Sequence, residues 1–282
     1  MLNQSISSKT IVRYIRWKGN NFGDNINDVL FRDVFGVEQS IGNAEPVTDG
    51  VNLLGIGTTF SSYLRVSDPA ILWVIGSGAG YAPHKPKLPS NNIIFFVRGP
   101  LTCQYLDLPP HLAIADAAYL LADQFHAAAR INPVSSHRYG IIPHHWSVET
   151  ELPRWQQVSQ RAFIIDPRLD WKTFIQRVNA CDVILTECLH GAIAADILRK
   201  PFIIFSTTPA FHAFKWLDWA SSMELQLNIR LFNFDDPEEL YRTEAPILSK
   251  AETLNRVLEQ LENKKLEVQR HLESIATSSA SR

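Results

Sequence analysis

The sequence predicts an α/β protein built from two Rossmann-like units, and three observations carry that prediction. Short runs rich in Val, Ile and Phe recur along the chain, and most end at a glycine or a polar residue. Segments with apolar residues at helical spacing lie between them. The alternation runs through the first half, lapses over "ADQFHAAARINPVSSH" (122–137), and then resumes. Strands alternating with helices build parallel sheets covered on both faces, and these runs are apolar on both faces as such sheets require. The expected divisions are an N-terminal unit over 1–130, a second unit over 131–235 and a helical segment over 236–282.

In the first unit "TIVRYIRW" (10–17) is β-branched and aromatic, and reads as a strand. It empties into the loop "KGNNFGDN", after which Ile26, Val29, Leu30 and Val34 share a helical face. Further strands are expected at "VNLLGIG" (51–57), "AILWVIGSG" (70–78) and "NIIFFVRG" (92–99). The second series comprises "YGIIPHH" (139–145), "AFIIDP" (162–167), "DVILTE" (182–187) and "PFIIFS" (201–206). Between them, 170–180 reads as a helix with Trp171, Phe174, Ile175 and Val178 on one face. From Ala251 to about Ile275 a charged helix carries Leu254, Val257, Leu258 and Leu261 on one stripe, ahead of a frayed "ATSSASR" end.

Composition narrows the function classes. Of 282 residues, 45% are hydrophobic, and seven Trp with fifteen Phe supply two cores. A formal charge of -2 argues against bulk nucleic-acid binding and leaves room for a local cationic pocket. Cys103, Cys181 and Cys188 show no C-x-x-C spacing, so neither a disulfide framework nor a structural zinc site is expected, and a reducing compartment fits. The start "MLNQSISSKT" lacks the apolar region of a signal peptide, and no apolar run approaches the roughly 20 residues that span a bilayer. The expectation is a soluble, cytoplasmic protein without a metal ion.

Ligands of open α/β sheets sit beyond the carboxyl ends of the strands, so the polar residues there are the candidates. With two such sheets, a cleft between them is the natural site. In "NNFGDN" a glycine loop leads into a helix and offers backbone N–H groups to an anion, from Asn21 and Gly23 onward. Asp24 or Asn25 is equally a plain N-cap. "GIG" and "GSGAG" (with Ser77 and Gly78) are strand-end glycine loops, but neither completes a G-x-G-x-x-G fingerprint or a Walker A motif. Arg98 closes a strand in "FVRGPLT", where it either grips a carboxylate or phosphate or forms a structural ion pair. Asp166, Arg168 and Asp170 repeat that placement in the second series. His144 and His145 follow a strand end; on a strand they would point to opposite faces. His190, entering a helix at a strand's carboxyl end, stands where its proton can be used. Cys188 beside it reads as a nucleophile or, more readily, as a buried inert thiol.

Together "NNFGDN", "GSGAG", "VRGPLT" with "IADAAYLL", "PHHWS", "IIDP", "CLHGAIAAD" and "FKWLDW" resemble the polysaccharide pyruvyl transferases. The resemblance is to the branch that pyruvylates exopolysaccharides, as in succinoglycan and xanthan synthesis, and covers residues from about 14 to 220. It implies a GT-B-like fold of two Rossmann-like domains facing a cleft, with the acceptor expected on the N-terminal domain and the donor on the C-terminal one. It implies transfer of the enolpyruvyl carbons of phosphoenolpyruvate to two hydroxyls of one sugar, giving a cyclic ketal and phosphate. The acceptor is commonly a lipid-linked oligosaccharide at the cytoplasmic membrane face, so peripheral membrane association is expected. Phosphoenolpyruvate is a co-substrate, and no cofactor is implied. Within that reading His190 is the acid that protonates the methylene carbon or else donates to the departing phosphate, and Asp24 positions or deprotonates an acceptor hydroxyl. Substrate contacts fall to Asn21, Gly23, Ser77, Gly78, Arg98, His144, Arg168 and Gly191, with Lys215 and Trp216 of "FKWLDW" as cation and aromatic platform. Trp219 reads as core. Many relatives carry arginine where Cys188 stands, and Arg98, Arg168 and Lys215 are the cations able to replace it. Two rivals remain at this stage: a GT-B-type glycosyltransferase using a nucleotide sugar, and a non-catalytic member of a polysaccharide assembly complex.

Overall fold

The computed structural model describes residues 10–17, 19–42, 45–61, 63–80, 84–131, 135–209 and 211–280, with 278–280 described by their backbone alone. The polar N-terminal stretch 1–9, Lys18 of the glycine loop and the last two residues lie outside the described residues. The protein is α/β, with parallel sheets and helices. Two compact units divide it: Met1–Lys18, Asn27–Leu120 and Asn255–Arg282 form the first, and Gly19–Ile26 with Leu121–Leu254 form the second.

The first unit holds β1 (Val12–Arg16), β2 (Ser40–Gly42), β3 (Val51–Leu54), β4 (Ile71–Ile75) and β5 (Asn92–Phe96). They pair in parallel in the order β2-β1-β3-β4-β5, so the chain reverses direction across the sheet between β1 and β3. In sheets of this doubly wound kind, the crevice at such a reversal is where ligands bind. Side chains alternate across the pleat. Ile15, Leu54, Leu72 and Val74 join Phe60, Leu64, Val97 and Cys103 in one core cluster. Their neighbours Tyr14, Leu53 and Trp73 are equally buried. Tyr14 stacks on Phe31 at 4.9 Å, and Trp73 meets Phe95 and His271 edge-on. Burial on both faces accounts for the unbroken apolar runs.

The helix α1 (Phe22–Val29) continues as a π-helical turn over Leu30–Val34. Its first residues, through Ile26, belong to the second unit, and Asn27 onward to the first. In the first unit the Asn27 amide donates to the Ile56 carbonyl at 3.0 Å and accepts the Ile56 N–H at 2.9 Å, which fixes the loop after β3. Then α2 (Pro100–Leu106) starts on a proline, whose ring suits the first helical position.

The second unit contains α3 (Ala122–Ala129), β6 (His137–Ile142), α4 (His145–Thr150), α5 (Leu152–Val158), α6 (Trp171–Asn179) and β7 (Cys181–Thr186). After these come α7 (Leu189–Ile197), β8 (Phe202–Ser206), α8 (Ala213–Ser222), β9 (Ile229–Leu231) and α9 (Glu239–Thr243). The parallel sheet runs β6-β7-β8-β9. Ile141, Leu185, Ile203 and Phe205 pack with Trp155, Val158, Phe232, Phe234 and Leu240. Asp170 caps α6 by accepting the Thr173 N–H at 3.1 Å. Phe174 of that helix stacks on Phe22 at 4.0 Å, and the Phe22 N–H donates to the Pro167 carbonyl at 2.7 Å. Those two contacts hold the start of α1 in this unit.

The structure revises several expectations. "AFIIDP" is not a strand: Ile164 makes a single bridge to Ile141, and the segment then turns because the Asp166 carboxylate accepts the Arg168 N–H at 2.9 Å. The strand expected to reach His145 stops at Ile142, since Pro143 has no N–H to donate and His144 caps α4 instead. β2 and β9 carry too few apolar residues to announce themselves. The closing helix runs Ala251–Ala280, past Ile275. No described helix is long and apolar enough to cross a membrane.

A buried tether in the second unit is Asp196 on α7. Fully buried, it accepts the Ser249 N–H at 3.0 Å and the Ser249 hydroxyl at 2.9 Å, with the Arg199 guanidinium at 3.6 Å. Removing one partner of such a group leaves the others stranded. Asp196→Ala is expected to lower the unfolding free energy by about 3 kcal/mol in urea titration, and a loss below about 0.5 kcal/mol would show the tether to be idle.

Candidate functional site

The site of the second unit is built where β7 runs into α7. Thr186 closes the turn: its hydroxyl donates to the Cys188 carbonyl at 2.9 Å and accepts the Cys188 N–H at 3.0 Å. Gly191 permits the close seating of the helix, because a Cβ there would lie 2.7 Å from the Thr186 hydroxyl and 3.0 Å from Ile142 Cδ1. Cys188 is buried, and burial raises its thiol pKa. The backbone N–H groups of Gly191 and His190 and the charge of Lys215 pull it back down, while Asp24 adds to the rise. The net effect keeps the sulfur protonated, which suits the inert reading of this cysteine.

His190 sits in the first turn of α7 and lies against the first turn of α1. A Cβ on Gly23 would fall 2.0 Å from His190 Nδ1 and 2.7 Å from its Cγ, so only glycine lets the ring in. α1 begins earlier than the sequence suggests. Asn21, rather than Asp24 or Asn25, is the cap, its side-chain oxygen accepting the Asp24 N–H at 3.1 Å. The Asn21 amide in turn donates to the Asp24 carboxylate. Cap, glycine and carboxylate thus occupy one turn beside the imidazole.

A buried carboxylate organises the other side. Glu187 accepts the His144 N–H at 3.0 Å, the Ser147 hydroxyl at 2.6 Å, and the Thr207 N–H and hydroxyl at 2.7 Å each. This pins the start of α4 and the loop after β8 to the end of β7. His144 caps α4, its Nδ1 accepting the Trp146 N–H at 3.4 Å. Burial, then the nearby charges of Lys215, His145 and His212, push its pKa from 6.5 down to about 3. Burial lowers His145 as well; Glu149 opposes the shift, and Lys215 and Arg168 reinforce it. Arg168 grips Asp166 through Nε at 3.0 Å and Nη2 at 2.7 Å. Burial alone would raise the Asp166 carboxyl, but these bonds hold it below its ordinary value.

Asn21, Gly23, Asp24, His144, Arg168, His190, Gly191 and Lys215 therefore all lie in the second unit. Ser77, Gly78 and Arg98 form a separate group in the first. There Arg98 is fully buried, donating to the Thr58 hydroxyl at 2.8 Å and the Ala79 carbonyl at 3.2 Å. Its guanidinium covers Gly78, where a Cβ would come within 2.1 Å of Cζ. The Ser77 hydroxyl donates to the Gly57 carbonyl at 3.2 Å and sits 3.0 Å from the Thr59 hydroxyl, so strand-end loops are knitted together here. Trp216, expected to offer an aromatic face, is fully buried and stacked on Phe211 at 5.5 Å; Trp219 is buried too. Sequence reasoning passed over Glu187, Thr207 and His212. For Glu187 the signal was present: an acid directly after a strand apolar on both faces.

The sequence pattern of the polysaccharide pyruvyl transferases matches residues 53–209, more than half of the chain. The chain belongs to the polysaccharide pyruvyl transferase family. The matched pyruvyl transferase region takes in Ser77, Gly78, Arg98, His144, Arg168, His190 and Gly191, and leaves Asn21–Asp24 and Lys215 outside. The succinoglycan biosynthesis protein ExoV of Rhizobium meliloti (strain 1021) is 33% identical over 216 residues, covering 72% of this chain and 61% of that protein. The chain thus spans less than two thirds of that relative's length. No solved structure matches it significantly.

Two outcomes are expected of this geometry. His144 titrates near 6.5 unfolded and about 3 folded, so the unfolded state holds more protons between those values. Stability should therefore fall as pH drops through 6.5 towards about 3, and the fall should be shallower in His144→Gln when unfolding is followed across that range. For Gly23→Ala, displacing the His190 ring should cost about 1–3 kcal/mol in the wild-type background. In a His190→Ala background the same change should be neutral or stabilising, as alanine favours a helix; equal effects in both backgrounds would refute the contact.

Proposed function

We propose that this pyruvyl transferase moves the enolpyruvyl carbons of phosphoenolpyruvate onto two hydroxyls of one sugar in an exopolysaccharide or surface-glycan precursor. The products are a cyclic pyruvate ketal and phosphate. The observation that supports this best is the His190 imidazole lodged on Gly23, beside Asp24, with the charge of Lys215 acting on Cys188 two residues before it and on His144.

Phosphoenolpyruvate carries a carboxylate and a phosphate, which call for fixed cations and helix N-termini. Arg168 is already bidentate with Asp166 and Arg98 is buried in the other unit. Lys215, whose charge acts on Cys188, His144 and His145, is the cation that takes the place of the arginine many relatives carry at 188. His190 delivers a proton to the methylene carbon, which becomes the ketal methyl. The electron-poor C2 is attacked by the first sugar hydroxyl, phosphate departs, and the second hydroxyl closes the ring. Of the two hydroxyl protons, one restores the acid and one leaves with phosphate. Asp24, oriented by Asn21, takes the first hydroxyl's proton and hands it to the departing phosphate.

The first unit, whose strand-end loops are knitted together by Ser77 and Arg98, then contributes to holding the acceptor alongside Asp24 of the second, and the two units work together as the halves of a GT-B-like enzyme. A lipid-linked acceptor would bring the protein to the cytoplasmic face of the membrane. The ExoV relative's role in succinoglycan biosynthesis agrees with a glycan acceptor.

Purified protein given phosphoenolpyruvate and a galactose- or mannose-terminated oligosaccharide should release phosphate and add a ketal to the sugar by mass. His190→Gln should slow this by about 10²–10⁴-fold with an unchanged unfolding midpoint. A near-normal rate removes His190 from the chemistry. Release of a nucleoside diphosphate from nucleotide sugars, without phosphate from phosphoenolpyruvate, would replace the proposal with glycosyl transfer.

A further inference from the structure

Trp146 has no part in the proton chemistry above, yet its placement is unusual. Among the described large apolar side chains it is the most exposed, at 67%. Tryptophan ordinarily covers most of its surface, as Trp73, Trp155, Trp216 and Trp219 do here. A lone exposed aromatic is ordinary on a protein surface, so it is the mounting of this one that argues for a role. Its backbone is fixed: the main-chain N–H donates to His144 Nδ1 at 3.4 Å, and the carbonyl accepts the Thr150 hydroxyl at 3.0 Å. The indole stands edge-on to His144 and His145, at 6.2 and 5.9 Å between ring centroids and 85° and 75° between planes. The backbone beneath is anchored through His144 and Ser147 to the buried Glu187. A flat apolar face is thus held out to solvent by the same clip that builds the site.

The surroundings select the occupant. Glu149 and Thr150, close along α4, are exposed, and His145 lies within the fields of Glu149, Lys215 and Arg168. An exposed aromatic face whose neighbours along its helix are polar does not match a lipid tail or an apolar helix, which need contiguous apolar area. It matches a pyranose, whose ring presents a patch of C–H groups on one face and hydroxyls around its edge. We infer that Trp146 is the platform on which a sugar ring of the acceptor glycan stacks.

This inference rests on the pyruvyl-transfer reading for the word "acceptor", and the test separates the two. Wild type, Trp146→Ala and Trp146→Phe are titrated with a panel of galactose-, glucose- and mannose-terminated oligosaccharides, and separately with phosphoenolpyruvate. The wild type should bind at least one glycan, Trp146→Ala should bind it about 10-fold more weakly, and Trp146→Phe should keep most of the affinity. Affinity for phosphoenolpyruvate and the melting temperature should stay unchanged in both variants. No glycan binding by the wild type overturns the platform. So does equal glycan affinity in Trp146→Ala, or a parallel loss of phosphoenolpyruvate affinity, which would mark packing against the histidines. Weakened binding to anionic vesicles with intact glycan affinity would assign the indole to a membrane surface instead. Glycan binding that depends on Trp146, without phosphate release from phosphoenolpyruvate, would keep the platform and remove the proposed reaction.

Discussion

The carboxylate of Glu187 is the constraint on which the second unit's site depends. It stands at the end of a buried strand, 8% exposed, where an ionised group is tolerated only if its lone pairs are met. Four donors meet them, from partners 43, 40 and 20 residues away in sequence. The loops after β6, β7 and β8 are consequently one assembly. His144 can cap α4 because its own N–H is held, and α4 can present Trp146 because its first turn cannot wander. A networked acceptor of this kind gains rigidity from being fully satisfied, and would fail as a unit if one donor were lost.

Seating α7 against this assembly requires small side chains. Gly191 lets the helix approach Thr186, and Ala192, Ala194 and Ala195 let the rest of it sink among the strands, leaving most of α7 buried. The same logic recurs at Gly23, where the absent side chain is occupied by the His190 ring. Both glycines serve close approach rather than a left-handed backbone. Each lies in an ordinary helical turn, and what it contributes is space.

The parallel strands were legible because burial on both faces leaves a strong residue signature. Val51–Leu54, Ile71–Ile75 and Phe202–Ser206 each fall inside an expected apolar run, and Cys181–Thr186 overlaps the one expected at 182–187. Edges were not legible. β9 mixes Arg230 with two apolar residues, and "AFIIDP" has the composition of a strand but only one bridge, since an edge segment is decided by its neighbour and not by its own side chains. Of the site, His190 and the glycine loop were readable as strand-end chemistry, whereas their contact is tertiary and left no local trace. Trp216 shows the converse. Its spacing in "FKWLDW" fits a platform and a core residue alike, and only packing against Phe211 decides between them.

The burial of the thiols has a practical side. Cys103, Cys181 and Cys188 are all covered, and burial pushes Cys181 up to about 12 and raises Cys188. Alkylating reagents act on the thiolate, so the folded protein is a silent background for them. A cysteine introduced at an exposed helical position such as Leu217, 46% exposed on α8 two residues from Lys215, would then carry a spectroscopic label alone. Movements of that helix could be followed without first removing any native cysteine.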